Sequence, residues 1–180
     1  DNVKPEQFVM LTYTRSAVIE FRNRLFDLIG DDAYKLDIYT FHSYINLIMG
    51  TVGNKDSNTN LIANFNMNVH KIKELLPFKT ALYLDEFQDI NQETFEFINT
   101  LANEGFIEKS VAVGDDDQII MDFNGANVKY FDLFWEQLNK NREKRITQFE
   151  LLENFRSDAS IVELSNSFIN QIAYRKKTHS

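Results

Sequence analysis

Apolar residues along this chain alternate between short unbroken runs and stretches in which they recur at helical spacing. Phe8 to Thr12 is an apolar run, and Val18, Phe21, Leu25 and Leu28 then follow the helical period, which predicts a strand followed by a helix. Asp37 to Thr40 predicts a second short strand, and Phe41, Ile45 and Ile48 mark one face of a helix directly after it. Residues 51–60 are rich in Gly, Asn, Ser and Asp and predict a loop. A helix is expected from Leu61 to Leu76, closed by Pro77, before a strand from Thr80 to Leu84. Asn91 is a candidate cap for a helix whose face holds Phe95, Ile98, Leu101 and Ala102, with Gly105 just past its end. Ser110 to Val113 predicts the next strand, and a loop through Asn124 and Gly125 leads to a helix carrying Phe131, Phe134, Trp135 and Leu138. Phe149 to Leu152 is a last candidate strand, and Ser157 can cap a helix presenting Ile161, Leu164 and Phe168. Strands that alternate with helices imply an α/β layer structure around a parallel sheet, whose functional edge lies at the carboxyl ends of the strands.

Two of the runs end abruptly in acid. Leu82 to Leu84 gives way to Asp85-Glu86-Phe87-Gln88-Asp89, and Val111 to Val113 to Gly114-Asp115-Asp116-Asp117-Gln118. Buried parallel strands that deliver carboxylates to one rim can hold a magnesium nucleotide, one carboxylate binding the metal while its neighbour orients or deprotonates a water. A bare Asp-Glu pair at a strand end also serves as a solvated turn or a helix cap, so the pair alone does not decide. The usual companion of such a rim is a Gly-rich loop ending in Gly-Lys-Ser/Thr, and none of the six glycines is followed by lysine. The sequence therefore reads as half of an ATP site.

Composition narrows the class. At 180 residues and 43% hydrophobic content the chain can bury one substantial core, which predicts a single domain with 50–78 as a small inserted subdomain or a mobile loop. Without cysteine there are no disulfides or thiolate zinc sites, and His42, His70 and His179 are too scattered for a metal cluster. No apolar run approaches the roughly 18 residues that span a bilayer, and Asp1 to Gln7 has no basic-then-apolar leader pattern, so a soluble, cytoplasmic protein without a membrane partner is expected. A net charge of -8 means that any attraction to nucleic acid must come from local basic patches, of which Arg15, Arg22 and Arg24 form the first.

The string Asp85 to Asp89 resembles the second motif of superfamily 1 DNA helicases of the UvrD, Rep and PcrA type, Asp-Glu-x-Gln-Asp. Further segments match in the same order: Leu11 to Phe21 is similar to motif Ia, Thr40 to Tyr44 to motif Ib, Val111 to Ala126 to motif III and Leu151 to Ser157 to motif IV. The resemblance implies a RecA-like P-loop NTPase domain, present as a partial first motor domain over 1–180 that lacks the phosphate-loop segment. It further implies an ATP-dependent helicase or single-stranded DNA translocase using ATP and Mg2+. Carried over position by position, Asp85 helps hold magnesium, Glu86 is the base or water-orienting residue, Gln118 senses the γ-phosphate and Arg156 neutralises charge developing on it. Phe155 is the residue that would stack on adenine. Single-stranded DNA would meet Tyr13, Thr14, Arg15, Thr40, His42 and Phe123, since aromatic faces beside hydroxyl and cationic donors grip any sequence. Tyr13 and Phe123 read equally well as core aromatics, and His42 as a structural hydrogen-bonding residue.

The chain also departs from the family pattern. Met121 and Asn124 stand where the helicases place an aromatic residue and an arginine, and Phe155 replaces a tyrosine. The partners implied are therefore single-stranded DNA, a phosphate-loop segment and a second motor domain of the same protein, and this polypeptide alone is expected neither to hydrolyse ATP nor to unwind duplex. Two other readings compete: a RecA-like platform that has lost catalysis and binds nucleic acid or protein, and an unrelated magnesium phosphohydrolase built on Asp85, Asp89 and Asp115 to Asp117.

Overall fold

A computed structural model describes residues 4–50, 61–72, 74, 76–119, 125–140 and 147–169. Four parallel strands, β1 (Phe8–Thr12), β2 (Asp37–Thr40), β3 (Lys79–Leu84) and β4 (Ile107–Ala112), form one sheet in the order β2-β1-β3-β4. The chain steps from β1 outward to β2, returns to the other side of β1 for β3, and continues to β4. Its direction of winding thus reverses between β1 and β3, the position where open parallel sheets leave a crevice at their carboxyl ends. The registers Leu11 to Leu84 and Leu84 to Ala112 align the ends of three strands on one rim.

The α-helices described are α1 (Arg15–Ile29), α2 (Phe41–Gly50), α3 (Leu61–Ile72), α4 (Gln92–Asn103), α5 (Lys129–Lys140) and α6 (Ala159–Ile169). Alternation sends Val9 and Leu11 to one buried face of β1, where they meet Ile45, Ile48 and Met49 of α2, Ile62, Phe65 and Val69 of α3, and Phe97, Ile98 and Leu101 of α4. The rings of Phe65 and Phe97 meet edge-on with centroids 4.8 Å apart, locking α3 to α4. At the opposite end of the sheet from the rim, the buried Lys79 Nζ donates to the Glu6 carbonyl and to Asp37 Oδ2, each at 2.5 Å. That pair ties β2, β3 and the turn before β1 together at their amino ends.

Local chemistry sets the helix starts. Thr14 Oγ1 accepts the Ala17 N–H at 3.1 Å, Thr40 Oγ1 accepts the Ser43 N–H at 3.2 Å, and Asn91 Oδ1 accepts the Thr94 N–H at 3.1 Å while Thr94 Oγ1 receives the Asn91 N–H. The structure corrects several details of the sequence reading. Leu28 is 78% exposed, because at about 100° per residue it lies some 80° round α1 from Val18 and leaves the inner stripe. Ala102 is also exposed, next to the last residue of α4, although Thr94, Phe95, Phe97, Ile98 and Leu101 of that helix are buried. The helix expected to reach Leu76 ends at Ile72, β3 begins one residue early at Lys79, and β4 starts at Ile107 rather than Ser110. Phe149 to Leu152 forms no strand: an apolar run becomes one only where a sheet edge accepts its backbone, and these side chains are exposed instead. The cap before α6 is Asp158, whose carbonyl receives the Ile161 and Val162 N–H groups, and Ile161, Leu164 and Phe168 face outward. The expected loop at 51–60 lies outside the described residues, as do Phe123, Met121 and Asn124.

Candidate nucleotide and nucleic-acid site

The rim at the ends of β3 and β4 is built by a turn that the core clamps from below. Asp85 continues the parallel ladder, its N–H donating to the Leu11 carbonyl at 3.1 Å. Phe87 is then driven inward, with its ring 5.1 Å from Phe131 and 4.9 Å from Phe134 of α5 and its N–H on the Val113 carbonyl at 2.9 Å. To place Phe87 there, Glu86 takes a left-handed backbone conformation, φ 52° and ψ 49°, which costs a non-glycine residue about 1–2 kcal/mol. The burial of Phe87 and the two helical-turn bonds that follow, Asp89 N–H to Glu86 O and Ile90 N–H to Phe87 O, offset that cost. The strain points the Glu86 side chain to solvent at the crevice.

Gln88 is buried, 4% exposed, and bridges the two strand ends. Its Nε2 donates to Glu86 Oε2 at 2.5 Å and its Oε1 accepts the Asp115 N–H at 3.0 Å. Because a backbone N–H can only donate, the amide orientation is fixed by Asp115. Asp115 in turn receives the Asp117 N–H on Oδ1 at 3.1 Å and Gln118 Nε2 on Oδ2 at 2.9 Å. Gly114 makes the approach feasible: a Cβ there would lie 2.9 Å from Gln88 Oε1 and 3.0 Å from Phe87 Cβ.

Charge at the rim is frustrated. Burial first, then the neighbouring Glu86 carboxylate, raises the Asp85 carboxyl above its ordinary value, partly opposed by hydrogen bonding to the Glu86 backbone and by the Thr12 hydroxyl. Asp89 is raised by the same two causes in the same order. Thr12 Oγ1 is buried and meets Asp85 only in poor hydrogen-bonding geometry. Two half-buried carboxyls, each facing the Glu86 carboxylate, suit a cation. Among the described residues no three acidic or histidine side chains converge on one point.

Of the other expected site residues, Thr14 and Arg15 sit at the start of α1 and Thr40 and His42 at the β2–α2 junction. Arg15 and Thr40 share a shallow cleft of about 310 Å³ with Val18, Ile19, Tyr39 and Ser43. Tyr13 is largely committed to the fold: its hydroxyl lies 3.1 Å from Thr94 Oγ1, its ring 5.0 Å from Phe41, and burial pushes its phenol well above the ordinary value. Thr40 is buried as a helix cap, whereas Thr14, Arg15 and His42 are exposed. Phe155 is 91% exposed, Arg156 is exposed with its N–H on Asn154 Oδ1, and among the described residues no ion pair joins Arg156 to the rim carboxylates. Sequence reasoning passed over Gln88 and Tyr39. An amide two residues beyond the Asp-Glu pair, between Phe87 and Ile90, was a usable signal, since a polar group in an apolar turn is costly unless paired. Tyr39 offers an aromatic face in the cleft, and only its place beside Thr40 hinted at it.

A parallel α/β sheet with an acidic carboxyl-end rim at its winding reversal is the form of a nucleotide-handling domain. The model of the UvrD/REP helicase N-terminal domain matches residues 1–80 and 69–139, and the chain belongs to that family. A probable DNA helicase of Mycoplasma pneumoniae is 28% identical over 134 residues, 74% of this chain and 22% of the relative. The ATP-dependent DNA helicase Rep of Buchnera aphidicola is 35% identical over 97 residues, 53% of this chain and 14% of the relative. DNA helicase II of Escherichia coli is 34% identical over 90 residues, 50% of this chain and 12% of the relative. The chain thus spans less than a quarter of each of these relatives, and the segment around Arg156 lies beyond the family match.

Proposed function

We propose that this chain is part of the first motor lobe of an ATP-dependent DNA helicase that moves along single-stranded DNA in the cytoplasm. The observation that carries the reading is the shared rim on which β3 and β4 present Asp85, Glu86 and Gln118, joined through Gln88 and Asp115. Asp85 would hold Mg2+, which when bound neutralises phosphate charge. Glu86, aimed outward by its backbone, takes the proton of the water that attacks the γ-phosphorus as the bond to the ADP leaving group breaks. Gln118 would meet the γ-phosphate through its amide, and Arg156, on a segment apart from the rim, would supply donors to the same charge once the lobes close.

The lysine-bearing phosphate loop and the second motor domain come from other parts of the same polypeptide, so this chain alone hydrolyses no ATP. Any inserted subdomain or loop within 50–78 would be small, because α3 inside that range, Leu61–Ile72, packs into the main core through Ile62, Phe65 and Val69. The cleft with Arg15, Tyr39, Thr40 and Ser43 is the best supported place for single-stranded DNA, because it joins a cation, an aromatic face and hydroxyls. The deciding experiment is DNA-stimulated ATP hydrolysis by the full-length protein and its Glu86→Gln variant. The variant is expected to lose at least about 100-fold in kcat, the size of a general-base contribution. Retained turnover would remove Glu86 from this role.

A further inference from the structure

We infer that Gln88 is a positioning residue that couples the water-activating Glu86 to the phosphate-facing Gln118, so that the two ends of the rim move as one unit. The inference rests on the ATPase reading and adds a residue and a linkage to it. Four groups form a continuous chain: Gln118 Nε2 to Asp115 Oδ2 at 2.9 Å, the Asp115 N–H to Gln88 Oε1 at 3.0 Å, and Gln88 Nε2 to Glu86 Oε2 at 2.5 Å. The central member is buried while both ends are exposed, which is the geometry of a connector rather than of a ligand.

Each link has a reason to be there. A buried amide with one half unpaired loses the full desolvation cost of that half, so the two bonds of Gln88 hold or fail together. Glu86 has a left-handed backbone and an exposed side chain, and the Gln88 bond is what fixes its carboxylate against rotamer freedom. Gly114 lets the β4 end approach the β3 turn, and any side chain there would press on the Gln88 amide oxygen and on the Gln88 backbone N, 3.1 Å away. A displacement of Gln118 by the third phosphate therefore pulls on Asp115, and through the amide on the base. The linkage would make water activation contingent on a correctly seated triphosphate.

Two variants of the full-length protein test this. Gln88→Glu keeps the size and the acceptor for the Asp115 N–H but cannot donate to Glu86 and sets a second carboxylate beside it. Gln88→Met keeps the volume and loses both bonds. In each the expected result is a fall in kcat of about 10–100-fold, the range for outer partners of a reacting group, with the KM for ATP and nucleotide-free affinity for single-stranded DNA within about threefold of the parent. Combined with Gln118→Ala, the Gln88→Met loss should be smaller than in the parent background, because the part carried through the linkage is already gone. Hydrogen exchange read by mass spectrometry on the peptide covering 113–119 gives a signal independent of turnover: it should quicken in Gln88→Met and stay near the parent in Gln88→Glu. A Gln88→Glu protein with parental kcat, or Gln88→Met losses that simply multiply with those of Gln118→Ala, would overturn the coupling. If the parent itself shows no DNA-stimulated ATPase, the motor reading fails on its own, and the exchange arm still decides the bridge: unchanged exchange in Gln88→Met removes it.

Discussion

Asp85 shows how a single side chain trades stability for readiness. Its carboxyl is half-buried and faces Glu86, so its folded-state pKa stands above the unfolded one. A carboxyl raised in this way favours the folded state when protonated, and its contribution is lost as pH rises from the ordinary aspartate value of about 4 through the raised value. Replacing it by Asn, which has no charge to desolvate, should therefore raise the melting midpoint at neutral pH. The gain should shrink as pH falls through the raised value and be gone below about pH 4, where the aspartate is neutral in both states. Thermal melts of both proteins at several pH values check this, and a lower midpoint for Asn at pH 7 would mean that the charge is compensated inside the fold. Glu86 makes a second residue-scale trade, accepting a strained backbone so that its side chain stays at the crevice.

At the scale of elements, the helix and strand positions followed from local rules wherever those rules were strong. Asn91 was legible as a cap because Asx side chains before an apolar helix have one productive use, and the structure closes the reciprocal pair with Thr94. Asn91→Ala should cost about 0.5–2 kcal/mol in chemical denaturation, the range for lost caps. The acidic ends of β3 and β4 were legible too, since apolar runs that stop in carboxylates have a definite place in a parallel sheet. Three things were not. Phe149 to Leu152 met the strand pattern, but a ladder needs a neighbour that no local pattern supplies. Thr40 carried a nucleic-acid role by resemblance, while bonding to Ser43 gave it work inside the fold; Tyr13, which also read as a core aromatic, does pack against Phe41. Gln88 escaped because its importance lies in a contact 27 residues away, across two strands, which periodicity along the chain cannot register.

For the whole molecule, a net charge of -8 makes any grip on DNA a local matter. Arg15, exposed at the cleft between α1 and the start of α2, is the cation best placed for it. In the full-length protein Arg15→Ala should weaken single-stranded DNA binding and reduce the dependence of log affinity on log salt by about 0.7, one phosphate contact's share on a single strand. Titrations at several salt concentrations measure the slope, and an unchanged slope would place the backbone elsewhere. The outer side of the sheet has a consequence of its own. β4 is one of the two edge strands among the described residues, and Val111 within it and Val113 just past its end are partly open to water. Because every strand here runs the same way, a newcomer laid alongside in parallel would bring its tail end to the very ledge that Glu86 and Gln118 occupy. No further strand among the described residues pairs with that edge, so one added there would finish facing the chemistry.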